Sequence, residues 1–340
     1  MVGAGYWAQF QVEGWRDAGA PLCAIANRDP AHAEALAARY GVPRTYADVA
    51  TMLDAEQPTL VDIVLPPVAQ EPAVRAAIER GIPAICQKPF GIDLAQAEAM
   101  TEMAEAAGVP LVIHENFRFT PWFRELRRRI DEGFFGRIYS IAFRLRPGDG
   151  QGPNAYLDRQ PYFQTMPQFL VRETAVHFID TFRYLLGEVR AVTARLRKLN
   201  PAIAGEDAGL LIFEFDDERT GLFDGNRLNE HVARNLRHTM GDMWLEAERG
   251  VMRLDGDARL WWKPHQGTEA EHRHHVGGPG VFGGASTALQ AHVLAHLRRG
   301  APLENGARHY LNNLHVQAAV YRSNAEGRRV LMADFDPHQP

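Results

Sequence analysis

Three ionisable side chains stand at positions that suit proton and hydride chemistry. Lys88 lies in Cys86-Gln87-Lys88-Pro89-Phe90, just past a short apolar run that reads as a strand. Reactive groups in open α/β sheets gather at the carboxyl ends of strands. An ammonium there can hydrogen-bond a substrate hydroxyl and offset the charge of a developing alkoxide. Glu173, His177 and Asp180 follow one another at spacings of four and three, which puts them on one helix face. His177 suits a general base, because imidazole titrates near neutrality. Glu173, one turn earlier, can orient a substrate or tune the imidazole, and Asp180 can fix its tautomer. Each residue alone has a plainer reading, as a solvated lysine past a strand or a core histidine. No metal is expected, since Glu-x-x-x-His-x-x-Asp matches no zinc-helix spacing.

A phosphate cradle precedes them. Gly3-Ala4-Gly5-Tyr6-Trp7-Ala8 fits G-x-G-x-x-G/A. Gly3 and Gly5 allow a tight turn and close approach of the backbone to a pyrophosphate, while Ala8 lets a helix pack closely on a strand. The helix start, with Tyr6 and Trp7, supplies the positive end of a dipole. Dinucleotide binding is therefore expected. Only Met1 and Val2 precede the motif, so the central strand that should lead into it is expected to be truncated, with the true start several residues upstream. Asn27 and Arg28 stand where the second strand should end. Asn27 can bond the ribose of either NAD or NADP, and Arg28 can meet a phosphate or stack on adenine. Pro66, Gln87, Lys88 and Asn116, at or just past the ends of later strands, complete the expected cofactor contacts.

The elements needed to position these groups are legible. Leu22–Ala26, Leu60–Leu65, Pro83–Cys86 and Leu111–Ile113 read as short apolar strands, separated by helical patterns at Ala31–Tyr40, Val68–Arg80 and Leu94–Ala107. Such alternation implies a doubly wound α/β domain with a parallel sheet, placed at residues 1–117. Residues 118–340 read as a second α/β domain with a large, open, mostly antiparallel sheet. Its strands are expected at Ile138–Leu145, Ala191–Leu199, Ala208–Phe215, Thr220–Asn226, Met243–Glu248 and Arg259–Lys263. A helix is expected at Val171–Leu186, and two terminal helices, Ala285–Arg299 and Ala307–Asn324, are expected to pack on that sheet.

Composition narrows the function classes. The 340 residues carry a formal net charge of −5, with no run of like charge that would suit a nucleic acid. No apolar stretch reaches membrane-spanning length. Cys23 and Cys86 each sit in an apolar run and are expected to be buried and unpaired, which suits a reducing cytoplasm. Glu271-His-Arg-His-His275 cannot close a metal cage as a strand, because His272 and His274 face away from His275, and a solvated edge is expected. Arg124, Arg127, Arg128 and Arg129 read as a solvated or salt-bridged helix face, and Trp261-Trp262 as core or subunit interface.

The polar segment from Arg146 to Met166 is rich in side chains that bind sugars: Arg146, Asp149, Gln151, Tyr156, Asp158, Arg159 and Tyr162, with Arg144 just before it. Vicinal hydroxyls need several convergent donors and acceptors, and an aromatic ring against the carbon face. Loops of this length inside compact domains are usually functional. Arg118 is placed with them as a substrate contact.

Taken together, the chain resembles the Gfo/Idh/MocA family of sugar and cyclitol oxidoreductases. The resemblance rests on Gly3-Ala4-Gly5-Tyr6, Gln87-Lys88-Pro89, Asn116-Phe117-Arg118-Phe119 and the helix with Glu173 and His177. Gln87 stands where the family usually has an acid, and Glu173 where many members carry Asp. The resemblance implies a Rossmann domain, an open C-terminal sheet that often joins subunits into dimers or tetramers, and hydride transfer at a sugar carbon. Residues 143–152 and 155–163 are similar to the branch that contains the D-apiose dehydrogenases, which implies oxidation of a small aldose to its lactone with NAD. The expected function is that of an NAD(P)-dependent sugar dehydrogenase. The alternatives are an NAD-dependent glycoside hydrolase of the same fold and a non-catalytic NAD(P)-binding sensor.

Overall fold

A computed structural model describes residues 1–277 and 281–339. The chain divides into two compact units, Met1–Asn116 with Ser286–Asn312, and Phe117–Ala285 with Asn313–Pro340.

In the first unit the elements run α1 (Ala8–Asp17), β1 (Ala24–Ala26), α2 (Pro30–Tyr40), β2 (Arg44–Tyr46), α3 (Val49–Glu56), β3 (Val61–Ile63), α4 (Gln70–Ile78), β4 (Ala84–Cys86), α5 (Leu94–Ala106) and β5 (Leu111–Ile113). β1 pairs in parallel with β2, and β3, β4 and β5 pair in parallel with one another. Val2 bridges both Ala26 and Ile63 in parallel, so the order reads β2-β1-Val2-β3-β4-β5. The central position, expected to be truncated, is held by Met1 to Gly3. The Val2 N–H donates to Asp62 O at 2.7 Å, and the Val64 and Ala26 N–H groups donate to Val2 O and Met1 O.

β1, β3, β4 and β5 are buried at every residue, as a parallel sheet covered on both faces requires. Aspartates 29, 48 and 93 cap α2, α3 and α5 by accepting from the backbone of Ala31, Thr51 and Gln96. β2 and α3 were not expected, because Arg44-Thr45-Tyr46 is a half-exposed edge strand without an apolar run. Cys86 is buried, but Cys23, expected to be buried, lies exposed before β1 begins.

The helix Ala285–Arg299 corrects the domain division. It was expected on the C-terminal sheet, yet residues 286–312 belong to the first unit. Its Gln290 is fully buried and donates to the Gln11 side chain at 2.7 Å. Gly14 permits that approach, because a Cβ there would fall 2.1 Å from Gln290 Oε1.

The second unit contains α6 (Pro121–Asp131), β6 (Ile138–Leu145), a π-helical turn at Leu170–Ala175, α7 (Val176–Leu186), β7 (Ala191–Arg197), β8 (Ala208–Glu214), β9 (Thr220–Asn226), β10 (Gly241–Ala247), β11 (Gly250–Leu254), β12 (Leu260–Pro264), β13 (Ala270–His272) and β14 (Val330–Leu331). Among the described residues nine strands form one sheet in the order β13-β12-β11-β10-β6-β9-β8-β7-β14. β6 and β9 pair in parallel, and every other neighbouring pair is antiparallel. Burial alternates along β6, β8, β9 and β10, so one face is covered and the other open. β11 was not expected, since its hairpin turn at Glu248-Arg249 carries no Asn-Gly or Asp-Gly signal.

The basic face of α6 is ion-paired: Arg127 with Asp131, Arg128 with Glu125 and Glu132, and Arg129 with Glu125. His272 departs from the expected solvated edge, because its Nε2 lies 2.6 Å from Glu125 Oε1. Burial opposes ionisation of Glu125, but hydrogen bonds from Arg128, His272 and Arg129 hold its carboxyl down at about 2. A carboxylate whose folded value lies below its unfolded value stabilises fully above the unfolded value, and that contribution is lost as pH falls toward the folded one. Resistance to urea is therefore expected to fall between about pH 4.5 and 2, and Glu125→Gln to flatten that slope. Equal slopes would remove Glu125 from the account of acid sensitivity.

Among the described residues no helix is long and apolar enough to cross a membrane, and no three His, Cys, Asp or Glu side chains are grouped to hold a metal ion.

Candidate active site

The dinucleotide half lies in the first unit. Gly3 has φ +101°, and a Cβ there would fall 2.3 Å from Val64 O, so only glycine fits. Around Gly5 nothing lies within 4 Å of an added Cβ, which leaves that backbone open to a ligand. α1 begins at Ala8 with no side-chain cap, and its first N–H groups suit an anion. These features fit a pyrophosphate cradle. Tyr6 packs edge-on against Trp7 and Phe10. Asn27 Oδ1 accepts from the Ala4 N–H at 3.2 Å, and Nδ2 donates to Asp29 O at 2.8 Å. The amide thus ties the glycine turn to the end of β1. Arg28, beside it, is exposed, as is Pro66 past β3. Lys88 follows β4, and its N–H donates to Gln87 Oε1 at 3.0 Å. Asn116 is buried and donates to Ser286 Oγ at 3.2 Å.

One residue that organises this half has no motif in the sequence. Gln70, fully buried at the start of α4, donates to Leu65 O, Gln87 O and Pro89 O at 3.1, 2.8 and 3.0 Å and accepts from the Gly91 N–H at 2.9 Å. A single amide therefore pins the chain after β3 and the chain after β4, including both peptide neighbours of Lys88.

The substrate half lies in the second unit. Glu173 and His177 were expected on one continuous helix, but the first part winds as a π-helix and only residues 176–186 are α-helical. Such insertions recur at functional sites. Glu206 caps the π turn, its Oε1 accepting from the Phe169 and Val171 N–H groups at 3.2 and 3.1 Å and from the Tyr321 hydroxyl at 2.7 Å. His177, 6% exposed, lies flat on Phe117 with ring centroids 4.0 Å apart and planes 6° from parallel. Phe178 and Phe282 hold the Phe117 ring in turn, so the imidazole plane is fixed by packing. Tyr162 is half exposed, and its hydroxyl accepts from Gln160 Nε2 at 2.8 Å. Burial and the neighbouring Glu173 carboxylate push that hydroxyl's pKa up, so it stays protonated as a donor.

Several expected contacts take other roles. Asp180 does not orient His177: its carboxylate accepts twice from Arg118, at 2.7 Å each, and from Asn313 at 2.8 Å. Although burial opposes its ionisation, Arg118 holds its pKa below the ordinary value. The same pair corrects the reading of Arg118 as a sugar contact, since it is buried and engaged with Asp180. Arg146 donates to Leu145 O and to Asp224 O and Oδ2. Asp149 pairs with Arg159 and with Arg227. Tyr156 is buried, bonded to Asp149 and Arg227, and Gln151, though exposed, donates to Leu228 O. Arg146, Asp149, Gln151, Tyr156 and Arg159 therefore brace the loop from within, while Tyr162 lies close enough to Glu173 to feel its charge. The loop carries enough apolar surface for a small core of its own, with Tyr156, Phe163, Phe169 and Ile203 packed together.

Comparison with known proteins agrees with this geometry. Residues 1–115 match the family model for the Gfo/Idh/MocA oxidoreductase family with an NAD-binding Rossmann fold, and residues 123–240 match the family's C-terminal domain. The chain is 30% identical to a D-apiose dehydrogenase of Paraburkholderia graminis over 100% of this chain and 91% of that protein. It is 28% identical to one of Rhizobium rhizogenes over 97% and 96%. Among solved structures, an oxidoreductase from Agrobacterium radiobacter in complex with NAD+, L-tartaric acid and magnesium superposes with a TM-score of 0.88 at 26% identity, covering 98% of this chain and 97% of that one. The chain belongs to the Gfo/Idh/MocA family of oxidoreductases, with an NAD-binding Rossmann domain followed by the family's C-terminal domain.

Proposed function

We propose that the protein oxidises a small, uncharged aldose of the D-apiose type at its anomeric carbon, giving the lactone. The observation that supports an uncharged substrate is the pairing of the guanidinium groups in the second unit, in the loop and around it. Arg118 pairs with Asp180, Arg146 with Asp224, and Arg159 and Arg227 share Asp149, while Glu173 beside Tyr162 supplies a fourth carboxyl group to the four guanidiniums. A sugar acid or sugar phosphate would bring its anion to a surface whose cations are already engaged. Vicinal hydroxyls instead find the Tyr162 hydroxyl, Glu173 and His177. The D-apiose dehydrogenases among the relatives support the size and class of sugar.

The roles follow from the chemistry of each group. His177, its plane set by Phe117, takes the proton from the reacting hydroxyl. Lys88, just past β4, is a cation of the kind that offsets negative charge on a developing alkoxide. Glu173 holds a neighbouring hydroxyl. Hydride acceptance is the chemistry that the nicotinamide supplies when bound. The test is absorbance of reduced cofactor, with NAD and NADP each offered D-apiose, common aldoses, inositols and an aldonic acid. Reduction with a neutral aldose and none with the acid is expected. Preference for the acid, or sugar release without cofactor reduction, would overturn the reading.

The open sheet face supports a homodimer or homotetramer. The strand register sets Ile212, Leu222, Ala142, Trp244, Arg253 and Trp261 side by side across five strand pairings, and Ile212 and Trp244 are exposed large apolar groups. A row dominated by apolar and aromatic side chains, with the Arg253 guanidinium lying over Trp244 and Trp261, is characteristic of a contact surface. Trp244→Glu is expected to give monomers by light scattering, and an unchanged mass would place the contact elsewhere. Two unpaired thiols, Cys23 and Cys86, suit work in the reducing cytoplasm.

A further inference from the structure

We infer that Arg227 is a positioning residue that couples the sugar-facing loop to the turn carrying Glu173. It stands just past the end of β9, buried, with each edge of its guanidinium engaged. Nε and Nη2 donate to the two oxygens of Asp149 at 3.2 and 2.7 Å, Nε also to the Tyr156 hydroxyl at 2.8 Å, and Nη1 to Thr174 Oγ1 at 2.5 Å. Its Cζ lies over the Phe169 ring, 4.8 Å from the centroid. Asp149 and Tyr156 belong to the loop that delivers Tyr162, and Thr174 is the residue after Glu173. The backbone joins in, since the Gly150 N–H donates to Arg227 O at 3.0 Å.

One planar cation thus sets where the loop lies relative to the π turn, and so how far the Tyr162 hydroxyl stands from the Glu173 carboxylate. That separation decides which pair of sugar hydroxyls the two groups can hold together. A lysine cannot reproduce it: its ammonium is a point donor, whereas this geometry needs a fork with directed N–H groups on both sides. The inference rests on the reading of this half as the sugar site.

Arg227→Lys is the direct variant. Thr174→Val is the milder one, removing a single bond from a residue that keeps its shape, and Thr174→Ser restores the hydroxyl. Thr174→Val is expected to raise KM for the preferred sugar about tenfold or more, the scale for losing one hydrogen bond to a charged group. NAD affinity should be unchanged, kcat should move much less than KM, and Thr174→Ser should return KM toward wild type. Arg227→Lys should also narrow the wild-type preference between sugars that differ in hydroxyl configuration. A merely structural role predicts the opposite split, with a lower melting temperature and active fraction but unchanged KM and preference, and that result overturns the proposal.

Hydrogen exchange on the full chain reads the coupling without any substrate. Arg227→Lys should speed exchange in residues 149–163 and 170–175 together, while an isolated rise in one segment, or none, overturns the coupling. If the wild type turns over no sugar with either dinucleotide, the dehydrogenase reading fails, and the exchange result alone then decides the coupling.

Discussion

Replacing His177 with alanine is expected to lower kcat by about 10²- to 10⁴-fold, the usual contribution of a positioned general base. Dinucleotide affinity should stay within about twofold, because the proposed role is on the reacting hydroxyl and its loss would fall in the transition state. Lys88→Ala should behave alike for a different reason, since it removes the charge that offsets the alkoxide. The two can be told apart by pH. Loss of the base should remove the base-dependent rise of kcat/KM with pH, whereas loss of Lys88 should leave that rise in place. Wild-type turnover in His177→Ala, measured with saturating NAD and sugar, would contradict the mechanism. The flat stack of His177 on Phe117 gives the base a single ring plane. Truncating Phe117 should therefore reduce kcat while leaving the base in the chain.

The largest effect on stability is expected at Asp180. Arg118 and Asp180 have side chains only 4% and 0% exposed, and removing one member of a buried pair leaves the other uncompensated, at a cost of about 3–5 kcal/mol. That is a large share of the roughly 5–15 kcal/mol that holds a domain together. Asp180→Ala should thus lower the urea midpoint sharply or prevent folding. Arg118→Met combined with Asp180→Leu should recover much of the loss, because apolar groups of similar volume need no partner. Equal destabilisation of the single and double variants would show that the pair matters for packing rather than for charge.

Much of the fold can be read in the chain because burial writes a simple pattern there. β1, β3, β4 and β5 are apolar at nearly every position and lie within their expected runs, and β6 and β9 have their expected bounds. Lys88 falls just past the carboxyl end of β4, where the strand-and-loop rule puts reactive groups. What the pattern hides are residues whose role exists only across long separations. Gln70, Glu206 and Arg227 are single polar residues outside any motif, and their partners lie as much as 21, 115 and 78 positions away.

Composition misleads in the 146–166 segment for a related reason. Tyr156 and Tyr162 are alike as letters, yet one is buried against Arg227 and the other is half exposed beside Gln160. Residues that bind a sugar and residues that brace a loop draw on the same donors and acceptors. Asp180 fits the helical spacing for a histidine partner, but Arg118, 62 positions earlier, takes it. The return of residues 286–312 to the first unit depends on Gly14 and Gln290 fitting together, a match of shapes that no periodicity encodes.

The central claim is that hydride leaves the anomeric carbon of a neutral sugar and arrives on the dinucleotide. Incubation with D-apiose deuterated at that carbon, followed by mass spectrometry of the reduced cofactor, tests this most directly. The account predicts one deuterium in the reduced dinucleotide for each lactone formed. Sugar consumed with no deuterium in the cofactor pool, or reduced cofactor carrying only protium, would contradict it.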